Sequence, residues 1–456
     1  MNNQLDANLL ITQLDYHSSS VVDFFSAIES QPWAMLLHSS AKDHVDNRYD
    51  ILVADPIATL QTHHNVTRIN VVGKQPVTSE ACPFKLLAHY QERLTPHCHS
   101  IEGLPFIGGA LGYFSYHLGR RVESIPNIAE QDIPTADMAV GIYDWTLIAD
   151  HKASTLTLIQ PQGSNRLTWL QQFVAIKEDK TEFSLSSEWQ SNMTEDEYAT
   201  KFTVIQDYLK SGDCYQINLA QRFHAQYQGS EWQAYQKLAT QNGAPFSAFI
   251  RTPEVAILSV SPERFLQVRD NQIETKPIKG TRPRSNDPEL DAKEAEILRH
   301  SAKDRSENLM IVDLLRNDIG RVSKPGSVKV PKLFDIESFP AVHHLVSTIT
   351  GELDDNYTIS DLLSASFPGG SITGAPKIRA MEIIEELEPH RRNLYCGSIG
   401  YISRCGTMDT SITIRTLIAY EETLYASAGG GIVADSQVEL EYQETLHKLS
   451  KILPIL

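Results

Sequence analysis

An α+β fold resting on extensive, mostly antiparallel sheet is what this chain predicts, and three observations predict it. Residues 1 to about 190 are written in short apolar or alternating runs, such as Asp50-Ile51-Leu52-Val53-Ala54 and Ala139-Val140-Gly141-Ile142-Tyr143, broken by polar or Gly/Pro turns. Beyond about residue 190, apolar residues recur three and four apart, the spacing of helices that bury one face. Regular strand-helix-strand alternation is missing throughout, which argues against a doubly wound parallel sheet.

The elements follow in order. The stretch from 176 to 196 is polar and marks the division between an N-terminal region, 1–190, and a second half, 191–456. Thr194 and Glu197 have the spacing of a capping box, in which each side chain satisfies an exposed amide of a first helical turn. Tyr198, Phe202, Ile205 and Leu209 then keep helical spacing until Ser211-Gly212 ends the helix. Tyr215, Ile217 and Leu219 alternate as in a half-buried strand, with Gln216 and Asn218 on its other face. Further helices are predicted at about 289–300, 303–318, 375–388 and 437–452, and a strand at 423–427.

Composition excludes several classes. The 456 residues are 41% hydrophobic, enough for a large core, and length alone allows about three domains. A formal net charge of -17 leaves no global positive field for nucleic acid or an anionic membrane, so an anionic ligand needs a local basic pocket. Five cysteines (Cys82, Cys98, Cys214, Cys396, Cys405) include no Cys-x-x-Cys pair, which argues against a disulfide framework or zinc ribbon and for a reducing compartment. Without a signal-peptide start or an apolar run of roughly 18 residues, the expectation is a soluble, cytoplasmic protein.

Four groups of residues can carry chemistry. In PGGSITGAPK (368–377), Gly369 and Gly374 have P-loop spacing, but Ala375-Pro376 follows where a nucleotide loop needs Lys and Ser/Thr. The stretch instead suits a helix start, capped by Ser371 or Thr373 with Pro376 in the first turn, whose free amides would receive a carboxylate or phosphate; a simple turn is the alternative. Ala428-Gly429-Gly430-Gly431 lets backbone amides approach a ligand, because no Cβ intervenes. Asp304 with Glu307, and Glu441 with Glu444, place two carboxylates on one face of each of two helices, and two such faces could clamp a hard cation such as magnesium. Against that, helical glutamates are often merely solvated, and Glu444 has an i,i+4 partner in Lys448. His97-Cys98-His99 lacks spaced partners and reads as loop. Finally, Glu263 and Lys279 could meet across a hairpin, either as a salt bridge or as a proton donor beside a nucleophilic amine, if burial keeps both neutral.

Taken in order, SPERF (261–265), PIKGT (277–281), DRSENLMIVDLLRND (304–318), HHLVS (343–347), GGSITGAPK (369–377), DTSITIRT (409–416), SAGGGIVADS (427–436) and EYQET (441–445) resemble the chorismate-utilising enzymes. The resemblance runs from about residue 190 to the end and implies two large, mostly antiparallel sheets packed as a sandwich with helices outside. Two positions choose among its members. Those that add water to C2 of chorismate carry a lysine base where this chain has Gln216. Anthranilate synthases have a small alanine where this chain has Lys279, in the PIKGT form typical of aminodeoxychorismate synthases. PWAMLLHS (32–39), VADP (53–56), GRRVES (119–124) and DMAVGIYDW (137–145) are similar to the same branch, and anthranilate synthase remains the alternative.

What the resemblance implies is specific. Glu263 would protonate the C4 hydroxyl of chorismate and Lys279 would attack C2. Magnesium (Mg2+) would be bound by Glu307 and Glu444, with Asp304 and Glu441 holding its waters. Substrate would meet Gln216, Gly280, Thr281, His344, Thr373, Tyr395, Arg415, the amides of Gly429, Gly430 and Gly431, and Lys448. A separate glutamine amidotransferase subunit would supply ammonia, since nothing in the chain resembles a glutaminase. A tryptophan pocket in the N-terminal region, interwoven with the catalytic domain, would be lined by Ser39, Asp46, Asn47, Arg48, Tyr49, Pro245, Phe246 and Ser247. Asp46-Asn47 depart from the Tyr-Ser that the family places before the arginine.

Overall fold

A computed structural model describes residues 9–40, 47–175, 181–338 and 342–456. Two sheets dominate, one of 13 strands and one of 12, built from antiparallel pairs. Both draw on both halves of the chain. In the first sheet, Met35–His38 lies between Tyr49–Val53 and Phe246–Arg251; in the second, Gly109–Phe114 lies between Met138–Tyr143 and Ser398–Ser403.

The inner faces of the sheets meet in one apolar layer, with Met35, Val53, Ile250 and Ile257 from the first sheet against Leu111, Tyr113, Ile399 and Tyr401 from the second. Alternation along each strand leaves a second apolar face outside, and helices cover it. Val21, Phe25 and Leu238, on helices Ser20–Ile28 and Glu231–Asn242, pack on the first sheet; Phe84, Leu87, Ile311 and Leu315, on Pro83–Leu94 and Ala302–Gly320, pack on the second. None of the described helices is long and apolar enough to cross a membrane.

The expected helices form at Glu195–Ser211, Pro288–His300, Ala302–Gly320, Lys377–Leu387 and Val438–Leu449. The capping box is complete: the Glu197 amide donates to Thr194 Oγ1 at 3.2 Å and the Thr194 amide donates to Glu197 Oε2 at 2.7 Å. Two expectations fail. The strand after that helix, Gln216–Gln228, is buried on both faces: Gln216 is 1% and Asn218 8% exposed, while Tyr215, 70% exposed, lies outside the strand. Ile217 and Leu219 pack under the Glu195–Ser211 and Lys377–Leu387 helices, and the opposite face is closed by Arg392 and by Gly431, whose missing side chain leaves room for Gln216. Nor does Ser371 or Thr373 cap the next helix. Gly370–Ile372 forms a single 3-10 turn, Gly374–Ala375 pairs with Gln216 and Ile217, and the helix begins at Lys377 without a side-chain cap.

Candidate active site

Between Ser261 and Arg264 the chain leaves the first sheet and enters the second, and Glu263 lies at that crossing. Its side chain is 7% exposed. Burial pushes its carboxyl up to about 7, against the pull of Lys279, of the Ser371 hydroxyl and of Lys448. Lys279 projects from Ile278–Pro283 at the edge of the second sheet. Burial pushes its amine below the ordinary lysine range, with Lys448 acting in the same direction and Glu307, Glu263 and Glu444 resisting. The two do not form the salt bridge that spacing alone allowed. Ser371 stands between them, its hydroxyl donating to Glu263 Oε1 at 3.1 Å and its main-chain oxygen accepting from Lys279 Nζ at 3.1 Å.

Gly280 bends the strand just past Lys279. Its φ of +78°, and a register shift between Lys279 and Thr281, make a bulge there. A Cβ at Gly280 would come within 2.8 Å of Leu298 and 2.9 Å of Asp304, so the bulge also seats the strand against the helix that carries Asp304 and Glu307. Thr281 is hydrogen-bonded to His344 Nδ1 at 2.9 Å across the ladder.

The four acids come from two helices, Ala302–Gly320 and Val438–Leu449, on neighbouring walls. Burial raises the Glu307 carboxyl, and Asp304 and Glu444 add to the rise. Glu441 is raised by burial as well, with Glu444 contributing. One Glu441 oxygen accepts from Ser436 Oγ at 2.6 Å, and the other is buried without a hydrogen-bond partner among the described residues. For Glu444, burial is outweighed by Lys448 at 2.7 Å, and its carboxyl ends low. That i,i+4 pair is nearly half exposed and contributes little stability. Among the described residues no three acid, imidazole or thiol side chains stand close enough to form a ready-made cage. A buried orphan oxygen and carboxylates that raise one another nonetheless suit a hard cation that keeps several waters.

Gly429, Gly430 and Gly431 continue the Thr423–Ile432 strand, paired with Ala220, Leu219 and Asn218. The neighbouring strand Thr416–Tyr420 pairs with it only as far as Ala426, so among the described residues the glycine segment has one edge without a strand partner. A Cβ on Gly430 would lie 2.8 Å from Glu441 Oε2, so the glycine lets the acidic wall reach the sheet. Lys448 Nζ donates to the Gly429 carbonyl at 2.7 Å and is also paired with Glu444. Arg415, held at a φ of 51°, forms no ion pair among the described residues; burial lowers its guanidinium pKa and Glu263 opposes that. Thr373 and Tyr395 are placed less directly. The Thr373 hydroxyl is spent on the carbonyls of Gly369 and Gly370, and the Tyr395 ring lies 5.6 Å from the Arg392 guanidinium, in a small recess with Ala220 and Ser427.

Sequence reasoning missed Ser371 as a bridge and Lys303 as a charge. Lys303 is one turn before Glu307 and pulls on Glu307, Glu441 and Glu444 alike. Its i,i+4 spacing to Glu307 was the available signal.

A second site opens on the N-terminal side. A cavity of about 400 Å³ is lined by Ser39, Asn47, Arg48, Tyr49, Pro245, Phe246 and Ser247, together with Arg264 and Asp409. Asp46 lies outside the described residues. Arg48 grips Asp150 at 2.9 Å, and the buried Asn47 Oδ1 has no hydrogen-bond partner among the described residues.

Burial thus shifts the Glu263 carboxyl up and the Lys279 amine down, each toward its neutral form, beside the acidic residues of two helices and the glycine edge. The chain belongs to the chorismate binding enzyme family, whose model matches residues 34–454. Among curated proteins, aminodeoxychorismate synthase component 1 of Escherichia coli (strain K12) is 58% identical over 433 residues, covering 94% of each chain. Its counterpart in Salmonella typhimurium (strain LT2) is 55% identical over 97% of each. Of solved structures, anthranilate synthase component I from Streptococcus pneumoniae TIGR4 aligns with a TM-score of 0.78 at 31% identity, covering 90% of this chain and 93% of that one.

Proposed function

We propose that the enzyme replaces the C4 hydroxyl of chorismate with ammonia, giving 4-amino-4-deoxychorismate on the way to p-aminobenzoate and folate. The observation that carries this reading is Lys279 beside Glu263 with both moved toward neutrality, where an anthranilate synthase would have alanine in place of the lysine. Glu263 gives its proton to the C4 hydroxyl, which leaves as water while Lys279 Nζ bonds to C2 and the ring double bonds shift. Ammonia then bonds to C4, the double bonds shift back, the C2–Nζ bond breaks, and the proton shed by nitrogen returns to Glu263.

The remaining residues bind and orient. Arg415, a half-buried cation without an ion pair among the described residues, suits the carboxylate of the enolpyruvyl arm, and the free edge of Gly429, Gly430 and Gly431 offers amides beside it. Gln216, under Gly431, cannot deprotonate water, which disfavours hydration at C2. Glu307 and Glu444 would hold magnesium, with Asp304 and Glu441 on its waters, and the ion when bound would neutralise and anchor the ring carboxylate. Ammonia would come from a glutamine amidotransferase subunit, in the cytoplasm, and the 400 Å³ cavity would hold L-tryptophan. Size-exclusion chromatography with that subunit tests the first, and a flat calorimetric titration would exclude the second.

Mass spectrometry of products from the purified chain, chorismate, magnesium and an ammonium salt, with and without EDTA, tests the activity. Aminodeoxychorismate that disappears with EDTA is expected; anthranilate would mean that Lys279 does not set the position of amination. For Lys279→Ala, loss of C4 amination is expected, and undiminished product would sink the covalent route.

A further inference from the structure

Ser371 touches both reacting side chains with two different atoms. Its hydroxyl donates to Glu263, 108 residues away in sequence, and its main-chain oxygen accepts from Lys279, 92 residues away, so neither contact comes from chain neighbourhood. We propose that Ser371 is a positioning residue for both halves of the chemistry: the hydroxyl fixes which oxygen of Glu263 carries the acid proton, and the carbonyl fixes where the Lys279 lone pair points. This rests on the acid-and-lysine reading above.

The physical argument is one of donors and acceptors. A protonated carboxyl has one hydroxyl oxygen and one carbonyl oxygen, and a serine donor is best received by the carbonyl oxygen. Donation to Oε1 therefore leaves the transferable proton on Oε2. A neutral amine has two N–H bonds and one lone pair, and a main-chain carbonyl can only accept. It must be met by an N–H, which turns the lone pair away from Ser371. When Nζ gains positive charge on bonding to C2, the same carbonyl receives a stronger hydrogen bond.

Placement of this kind needs a rigid turn, and the turn is rigid. Thr373 Oγ1 donates to the carbonyls of Gly369 and Gly370, and the Thr373 carbonyl accepts from the Asn218 amide at 2.8 Å. Gly370 packs so tightly on the helix that carries Glu307 that a Cβ there would lie 2.3 Å from Leu314 Cδ2. A Cβ at Gly370 would press on Leu314, so either that side chain or the turn has to yield.

The test uses the full chain with magnesium and saturating ammonium. Ser371→Ala should lower kcat roughly 10- to 100-fold, the range for losing a hydrogen bond to an ionisable partner, with KM for chorismate changed less than about twofold. Ser371→Thr, which keeps the hydroxyl, should recover most of the rate. If the alanine variant does not fold, Ser371→Cys, with a weak donor of similar size, is read the same way. Without ammonia, intact-mass measurement should show the species of chorismate less one water on the chain forming more slowly in Ser371→Ala. A Ser371→Ala enzyme with unchanged kcat, or a loss confined to KM or melting temperature, overturns the proposal. Retained activity in Lys279→Ala would instead bring down the underlying reading, so the two failures are distinguishable.

Discussion

The Glu263–Lys279 site and the 400 Å³ cavity divide at two consecutive residues, since Glu263 belongs to the first and Arg264 lines the second, yet their charged groups are handled in opposite ways. Around the cavity, cations meet anions: Arg48 with Asp150 at 2.9 Å, Arg264 with Asp409 at 3.0 Å, Lys276 with Glu337 at 2.9 Å. At the Glu263–Lys279 site, burial raises the Glu263 carboxyl and lowers the Lys279 amine, and the Glu307 and Glu441 carboxyls rise as well. Ion pairs of this kind line the cavity with charges of both signs. Groups shifted toward their neutral forms by burial are candidates for reactive roles, and that is what the proposed chemistry asks of Glu263 and Lys279.

The largest effect expected follows from that contrast. Glu263→Gln keeps the shape of the acid but cannot give a proton, so kcat should fall by roughly 10²- to 10⁴-fold, while Phe246→Ala in the cavity should leave kcat within about threefold. Comparable losses in both would mean that the cavity takes part in the chemistry. Stability against pH sharpens the comparison. Glu263 has a folded-state pKa of about 7 against an ordinary value of 4.5, so the folded protein holds this proton more tightly than the unfolded chain does. Its contribution is complete below about pH 4.5 and is lost as pH rises to 7, a decline of about 3 kcal/mol. Glu263→Gln escapes that decline, and its melting temperature should gain on the parent's across that interval and level off above it; a constant offset would contradict the assignment. A smaller effect is expected from the paired side. Arg264→Ala leaves Asp409 with its hydrogen bond from Gln267 alone and should cost about 2 kcal/mol in urea unfolding.

Much of this was legible in the sequence. The Thr194-Glu197 box and the apolar spacing from Tyr198 to Leu209 are local signals, and local interactions decide them. The acid pairs Asp304/Glu307 and Glu441/Glu444 follow from helical geometry alone, although their meeting does not. Resemblance supplied Glu263 and Lys279, and residue chemistry supplied the choice between a salt bridge and a neutral pair. What stayed hidden depends on distant partners. Ser371 looked like a cap because nothing local reveals that Gly374 and Ala375 will pair with Gln216 and Ile217. Gln216 looked half-exposed because its cover is an absence, the side chain Gly431 does not have. Lys303 was readable as an i,i+4 neighbour of Glu307, but its reach to Glu441 and Glu444 needs the second helix in place.

The interleaving of the two sheets bears on how the molecule is made. Met35–His38 waits for Phe246–Arg251, and Gly109–Phe114 waits for Ser398–Ser403, so strands synthesised early leave the ribosome with open edges. Pairings this distant in sequence form slowly, and unpaired edges are templates for association with other chains. The first half of the polypeptide must therefore be kept from aggregating until the last strands emerge, and cutting the chain near residue 190 would separate partners that neither fragment can replace.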